Sequence, residues 1–396
     1  MASSRLLKKT RQASAELELL ISCAKYQTPQ AIQHIRALCQ TEINWPCVID
    51  MAFRHGLLPI LNQQLRKHCP DLLADSLLHD LKQLHLANTQ RNESLTNELI
   101  EITKLFQQHH IIAMSFKGPA LAISAYGDIA LRQMSDLDIL VKASHYPKAK
   151  ALLIEHGHHM SHDSKQETGT LQAQLWHEEK GISVDLHFGI PPSYLRLDTH
   201  PLFTSIDTVN LYETQVPTLT PEAHLVILCI NIFKENWCSL GKLCDVAHLA
   251  NAHQQLDWQQ VHTLAKQLKV ERIVHLTLLL INELLSNDAA EKISSNFKYS
   301  SSMNWIAKQL ARQLFIEQNF QDTRYLTAKS LAKLFICGLQ PNRLLFFLRP
   351  NELDRDYIAL PDFLSFLYYF IRPIRLTGNM LFNAKLISRF KVNAKT

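Results

Sequence analysis

The chain has 396 residues, enough for two or three domains, and 46% of them are apolar, so a sizeable buried core is expected and disorder is not. A net charge of +5 with 19% charged residues falls well short of a polybasic nucleic-acid arm, and the eight cysteines, none in a CxxC pair, read as reduced packing residues of a cytoplasmic protein. Glycine is scarce at 10, which favours helices, and the part least like a plain helical bundle is the window 118–189, where Gly118, Gly127, Gly157, Gly169, Gly181 and Gly189 lie.

The N-terminal MASSRLLKKTRQ lacks the apolar core of a secretory signal, and no apolar run reaches the ~18 to 20 residues of a membrane span. Residues 13–40 and 44–68 read as helical; in the second stretch Val48, Met51, Ala52, Leu58, Ile60, Leu61 and Leu65 recur mostly at three- and four-residue steps around Gly56 and Pro59. A long amphipathic helix is predicted over 75–108, with Leu95, Leu99, Ile102, Leu105 and Phe106 on its apolar face. At His110 the period changes. Ile111 to Phe116 form a short apolar run that suits a buried strand; Lys117-Gly118 is a turn, and Pro119 fits the start of a helix ending near Tyr126. Strand, turn and helix start point free backbone N–H groups and a positive dipole end at one spot, a phosphate cradle in outline with Lys117 as added charge.

Asp136-Leu137-Asp138 opens the next apolar run, ending at Val141. Residues two apart on a strand share a face, so both carboxylates lie on one side, an arrangement that is costly unless a cation intervenes. A helix over 146–156 and a His-rich polar stretch follow, then a hairpin of 171–178 and 181–188 that puts Asp185 and His187 on the same side. Helical periodicity returns at 221–236, 240–252, 257–268, 271–285 and 303–316; it weakens over 317–358, and Pro341, Pro350, Pro361 and Pro373 interrupt the C-terminal part. The organisation expected is a helical region at 1–108, a catalytic core at 109–217, a helical domain at 218–345 and a C-terminal extension at 346–396 that packs back on the domains.

The run FKGPALAISAYGDIALRQMSDLDILV at 116–141, followed by VDLHF at 184–188, resembles an uncharacterised-type bacterial nucleotidyltransferase family of the DNA polymerase β-like superfamily. INWPCVIDMAFRHGLLPILNQQL at 43–65, the Arg91-Asn92 helix, LTPEAHLVILCINIFKENWCSLGKLCDVAHLA at 219–250 with DWQQV after it, and LPDFLSFLYYFIRPIRL at 360–376 are similar to that family's recurring blocks. The resemblance implies an α+β fold, a small mixed nucleotidyltransferase sheet flanked by N-terminal and C-terminal helical domains. It also implies that Asp136 and Asp138 are the paired acids and Asp185 the third. Superfamily members carry a Gly-Ser or Gly-Gly turn where this chain has Lys117-Gly118.

On this reading Asp136, Asp138 and Asp185 are the catalytic and metal-binding acids, able to hold two Mg²⁺ or Mn²⁺ ions, with Asp185 placed to take the acceptor's proton. Lys117, Gly118, Arg132 and Lys234 are the nucleotide-contacting candidates; Arg132 has the alternative of pairing with Asp128 or Asp136, and Lys117 that of a solvated strand-end lysine. Asp245 caps or braces a helix, Trp45 and Trp237 are core or domain-contact aromatics, and His187 is more a packed or hydrogen-bonded strand histidine than a ligand. His156, His158, His159 and His162 invite a zinc reading, but nothing else completes such a site, and a solvated loop is expected. The expected reaction moves a nucleoside monophosphate from an NTP, for instance ATP, to an acceptor. A metal-dependent DxD glycosyltransferase and an inactive nucleotide-binding scaffold are the competing readings. The acceptor, whether protein side chain, small molecule, carbohydrate or RNA end, is left open by the sequence.

Overall fold

The computed structural model describes residues 15–25, 28–160, 171–285, 301–314, 358 and 360–372. The stretch expected to be helical over 13–40 divides into α1 (Ala15–Ala24) and α2 (Pro29–Cys39), because Thr28 accepts a hydrogen bond from the Ala31 N–H and Pro29 starts a new helix. The 44–68 stretch divides likewise into α3 (Trp45–His55) and α4 (Leu58–His68), with Gly56 left-handed at φ 71° as the C-terminal cap. The long helix α5 (Asp75–Gln108) matches its predicted span.

Beyond it come β1 (Ala113–Ser115), α6 (Gly118–Tyr126), β2 (Asp136–Val141), α7 (Tyr146–Glu155), β3 (His158–Met160), β4 (Gln172–His177), β5 (Ile182–His187), β6 (Ile206–Leu211) and β7 (Thr214–Leu219). The strands form one mixed seven-stranded sheet in the order β3-β4-β5-β2-β1-β7-β6. β2 runs parallel to β5 and antiparallel to β1, and β7 is parallel to β1. The architecture is therefore the expected α+β mixed sheet with helices before and after it. Two features departed from expectation. His158–Met160 form a short edge strand where a solvated loop was expected, and residues 206–219 form a hairpin that the sequence reading did not anticipate.

Alternation along the central strands sorts the two faces. Leu137, Ile139 and Val141 of β2 and Val184 and Leu186 of β5 join Leu95, Leu99, Ile102 and Phe106 of α5 in one buried apolar cluster. Each such fully buried side chain contributes roughly 1.5–3 kcal/mol relative to exposure, so this face anchors the sheet on α5. The opposite face carries Asp136 and Asp138 from β2 and Asp185 and His187 from β5.

The helices α8 (Pro221–Lys234), α9 (Leu240–Ala252), α10 (Trp258–Gln267) and α11 (Glu271–Leu285) follow the sheet, and α12 (Ser301–Gln313) comes after them, close to the predicted spans. The chain divides into two compact units, Met1–Ala307 and Lys308–Thr396; the sheet and α1 to α11 belong to the first. In the second unit, the Tyr368 hydroxyl accepts from the Leu360 N–H and donates to the Ile358 carbonyl. The weakly patterned stretch 317–357, with Pro341 and Pro350, and also Pro373 and His162 lie outside the described residues.

Candidate active site

Parallel pairing of β2 with β5 sets Asp136 opposite Ser183 and Asp138 opposite Asp185. The two aspartates reach one spot because neighbouring strands lie only ~4.8 Å apart and paired residues share a face. Asp138, Asp185 and His187 each offer a donor atom, and these atoms lie within 4.8 Å of one another, the one such potential metal-holding group among the described residues.

Asp138 is 4% exposed, and its Oδ1 accepts from Lys117 Nζ at 2.7 Å and from His187 Nε2 at 3.1 Å. Burial opposes its charge, but the Lys117 ammonium and the His187 hydrogen bond outweigh that penalty and hold the carboxyl well below the ordinary carboxylate range. Asp185 shifts the other way: burial first, and the Asp138 charge second, raise it. Its Oδ2 accepts from Gln172 Nε2 at 2.8 Å, whereas its buried Oδ1 has no hydrogen-bond partner. A buried carboxylate oxygen without a donor, beside a second carboxylate, is suited to holding a cation. Asp136 is half-buried, accepts from Ser135 Oγ at 3.2 Å and stands two residues along the same face, outside the trio.

The turn before α6 is built as expected. Gly118 has φ +57°, a left-handed conformation that favours glycine; a Cβ there would meet the Asp136 carbonyl oxygen at 3.6 Å, so backbone conformation rather than space demands the residue. No side chain caps the start of α6, which leaves its first N–H groups available. Two residues that the sequence reading did not single out brace this turn. Thr218 Oγ1 donates to the Ser115 carbonyl at 2.6 Å, and the fully buried His224 donates from Nε2 to the Phe116 carbonyl at 2.7 Å. His187 is a packed and hydrogen-bonded strand histidine as expected: besides Asp138, it meets the Phe116 ring edge-on at 5.1 Å. Its spacing of two from Asp185 was the available signal.

Arg132 pairs with neither Asp128 nor Asp136. Its guanidinium, 12% exposed, is held by Asp245 of α9 at 3.1–3.2 Å, and Tyr126 donates to the same carboxylate at 2.8 Å. Asp128 instead caps the short turn at 129–131 by accepting from the Ala130 N–H. Arg132 is thus engaged in an ion pair within the protein. Lys234 is exposed at the end of α8, next to Phe233, whose ring contacts Tyr194 in the loop leaving β5. It makes no hydrogen bond or ion pair with the acidic trio.

α5 positions the loop leading into β2. Asn92 donates to the Ile129 and Arg132 carbonyls at 2.6 and 2.8 Å, Asn88 to those of Ala130 and Arg132, and Arg91 to those of Ser135 and Gly181. Of the histidine stretch, His158 is structural as well. His158 is buried 3.2 Å from Glu98, which also binds Lys180 at 2.5 Å, while His156 and His159 are exposed. Trp237 is buried and donates to Thr277 Oγ1 at 3.1 Å, as expected of a packing aromatic.

The model of a family described as "Uncharacterised nucleotidyltransferase" matches residues 41–286. Among solved structures, the chain is similar to "an antigenic nucleotidyltransferase-like protein from Paracoccidioides brasiliensis", with 15% identity, 44% of this chain and 87% of that chain covered, and a TM-score of 0.32. No curated protein matches the chain.

Proposed function

The chain belongs to that family of uncharacterised nucleotidyltransferases, and from this premise we propose that it transfers a nucleoside monophosphate from an NTP to an acceptor hydroxyl, with Asp136, Asp138 and Asp185 as its catalytic acids. The observation that carries the reading is the Asp138–Asp185 register, with Asp185 Oδ1 buried and lacking a donor. Asp138 and Asp185 would hold a divalent ion, Mg²⁺ or Mn²⁺, with His187 as a nitrogen donor and Asp136 as the further carboxylate; hard oxygen ligands suit both ions, and an imidazole suits Mn²⁺ better. When bound, the ion supplies charge neutralisation at the phosphates and lowers the pKa of the attacking hydroxyl.

The protein's own part is positioning. The Lys117-Gly118 turn and the start of α6 would receive phosphate oxygens, and Lys234 at the end of α8 would meet the nucleotide from the helical side. Asp185 would take the hydroxyl proton as the acceptor oxygen bonds the α-phosphorus; the bond to the β-phosphate breaks and pyrophosphate leaves. Cysteines without disulfides among the described residues favour a reducing compartment, the cytoplasm, as the place of reaction. Among the described residues, no helix is long and apolar enough to cross a membrane.

The test is Asp185→Ala, assayed with α-labelled NTP in cell extract for acceptors and by single-turnover kinetics. NTP binding in the presence of Mg²⁺ should persist while transfer falls by more than ~10²-fold, as for loss of an interaction made chiefly in the transition state. Transfer at the wild-type rate would remove Asp185 from the site. The absence of any labelled product from the wild-type chain would remove the transferase reading.

A further inference from the structure

A bound cation and the Lys117 ammonium compete for Asp138. Lys117 Nζ lies 2.7 Å from Oδ1, with only 16% of the lysine side chain exposed and 5% of the aspartate's. It also sits 5.3 Å from the centroid of the Phe116 ring, whose face favours a positive charge. An ion held by Asp138 and Asp185 would therefore stand within a few ångströms of this ammonium, in surroundings poor in water, where like charges repel strongly. The ammonium and the ion therefore destabilise one another there. Lysine is a point charge on a flexible four-carbon stem, so Nζ is the group that can move. Its backbone anchor is the residue before α6, the helix start that points free N–H groups outwards, so the anion it would reach on leaving Asp138 is one bound there.

We propose that Lys117 is an exchangeable counter-ion: in the free enzyme it neutralises Asp138, and an incoming triphosphate draws it away, so that metal binding is conditional on nucleotide. This rests on the nucleotidyltransferase reading. Metal and nucleotide are then coupled through one side chain, and each tightens the other by the same factor. Such an exchange keeps the free site assembled without a metal and prevents it from filling with a bare divalent ion.

The experiment is a Mn²⁺ titration of the full chain followed by electron paramagnetic resonance, with and without a non-hydrolysable NTP analogue, for the wild type, Lys117→Met and Lys117→Arg. Expected without nucleotide is weak Mn²⁺ binding by the wild type and by Lys117→Arg, and at least ~10-fold tighter binding by Lys117→Met. The analogue should tighten Mn²⁺ binding in the first two and change it little in the third. In metal-free buffer Lys117→Met should also melt below the wild type, and Mn²⁺ alone should restore its melting temperature. Equal or weaker Mn²⁺ affinity in folded Lys117→Met overturns the exchange and leaves the transferase reading standing. If Lys117→Met does not fold, the wild type still decides, since Mn²⁺ affinity independent of the analogue overturns the coupling. No Mn²⁺ binding by any of the proteins, even with the analogue, removes the metal site itself.

Discussion

Arg132 shows how a single residue's role depends on partners far away in sequence. A basic residue shortly before two acids reads naturally as a phosphate contact or a neighbour's ion partner, yet the carboxylate that holds it, Asp245, lies 113 positions later. The physical reason is burial: a guanidinium removed from water needs a carboxylate with good geometry, and Asp245, itself 4% exposed, supplies both oxygens. Tyr126 completes the cluster; burial, then the Asp245 charge, raises its hydroxyl well above the usual range, so it donates as a neutral group. Removing Asp245 alone strands a buried cation, and Asp245→Ala should cost ~3–5 kcal/mol in urea denaturation. The paired change Arg132→Met with Asp245→Leu should recover most of that loss and bind NTP as the wild type does. Weakened NTP binding with stability recovered would return Arg132 to the nucleotide.

At the scale of elements, the helix α5 sets the approach to the acids. Asn92 gives its amide to two carbonyls of the loop that ends at Asp136, and Asn92 is fully buried, so Asn92→Ala leaves the Ile129 carbonyl without that donor. A loss of ~1–3 kcal/mol is expected, together with a fall in kcat measured well below the melting temperature, because the β2 carboxylates shift with their loop. An unchanged kcat would make α5 a packing element only. The elements legible in sequence were those with a strong local signal. Apolar 111–116 ending at Gly118-Pro119 marked β1 and α6, and strict alternation marked β5, so Asp185 and His187 could be read as sharing a side, whereas their meeting with Asp138 was implied only by the resemblance and depends on the β2–β5 register. β3 escaped because three residues, two of them histidines, carry no period; its fit comes from Glu98 on α5, which no local pattern announces. The β6–β7 hairpin escaped because β6 is largely exposed and Pro217 interrupts β7. Lys117 was legible as a charge beside the turn, whereas its place on Asp138 depends on strand pairing across the sheet.

For the first unit as a whole, acid should be more damaging than its carboxylates alone would make it. Three separate helices each hold a histidine away from water, fully in the case of His224 and partly in the other two: His55 at the end of α3, whose Nδ1 accepts from the Leu240 N–H; His224 in α8, which donates to Phe116; and His275 in α11, stacked at 5.9 Å on His262 of α10. Burial first, and nearby positive or imidazole groups in addition, lower each from 6.5 to about 4; for His224 the hydrogen bond to Phe116 works against the fall without cancelling it. Between those two values the unfolded chain binds protons that the folded chain refuses, so the stability these sites support is present above pH 6.5 and lost as pH falls towards 4. Below about 4 both states are protonated at these sites and this contribution stops changing. Urea midpoints measured from pH 7.5 down to ~4.5 should therefore slope downwards below pH ~6.5, before ordinary carboxylates titrate. His224→Gln keeps an N–H for the Phe116 carbonyl but removes one titrating site, so its slope should be visibly shallower than that of the wild type. The same slope in both proteins would show that His224 takes a proton in the folded state, and with it that the turn carrying Lys117 is held by a charged donor.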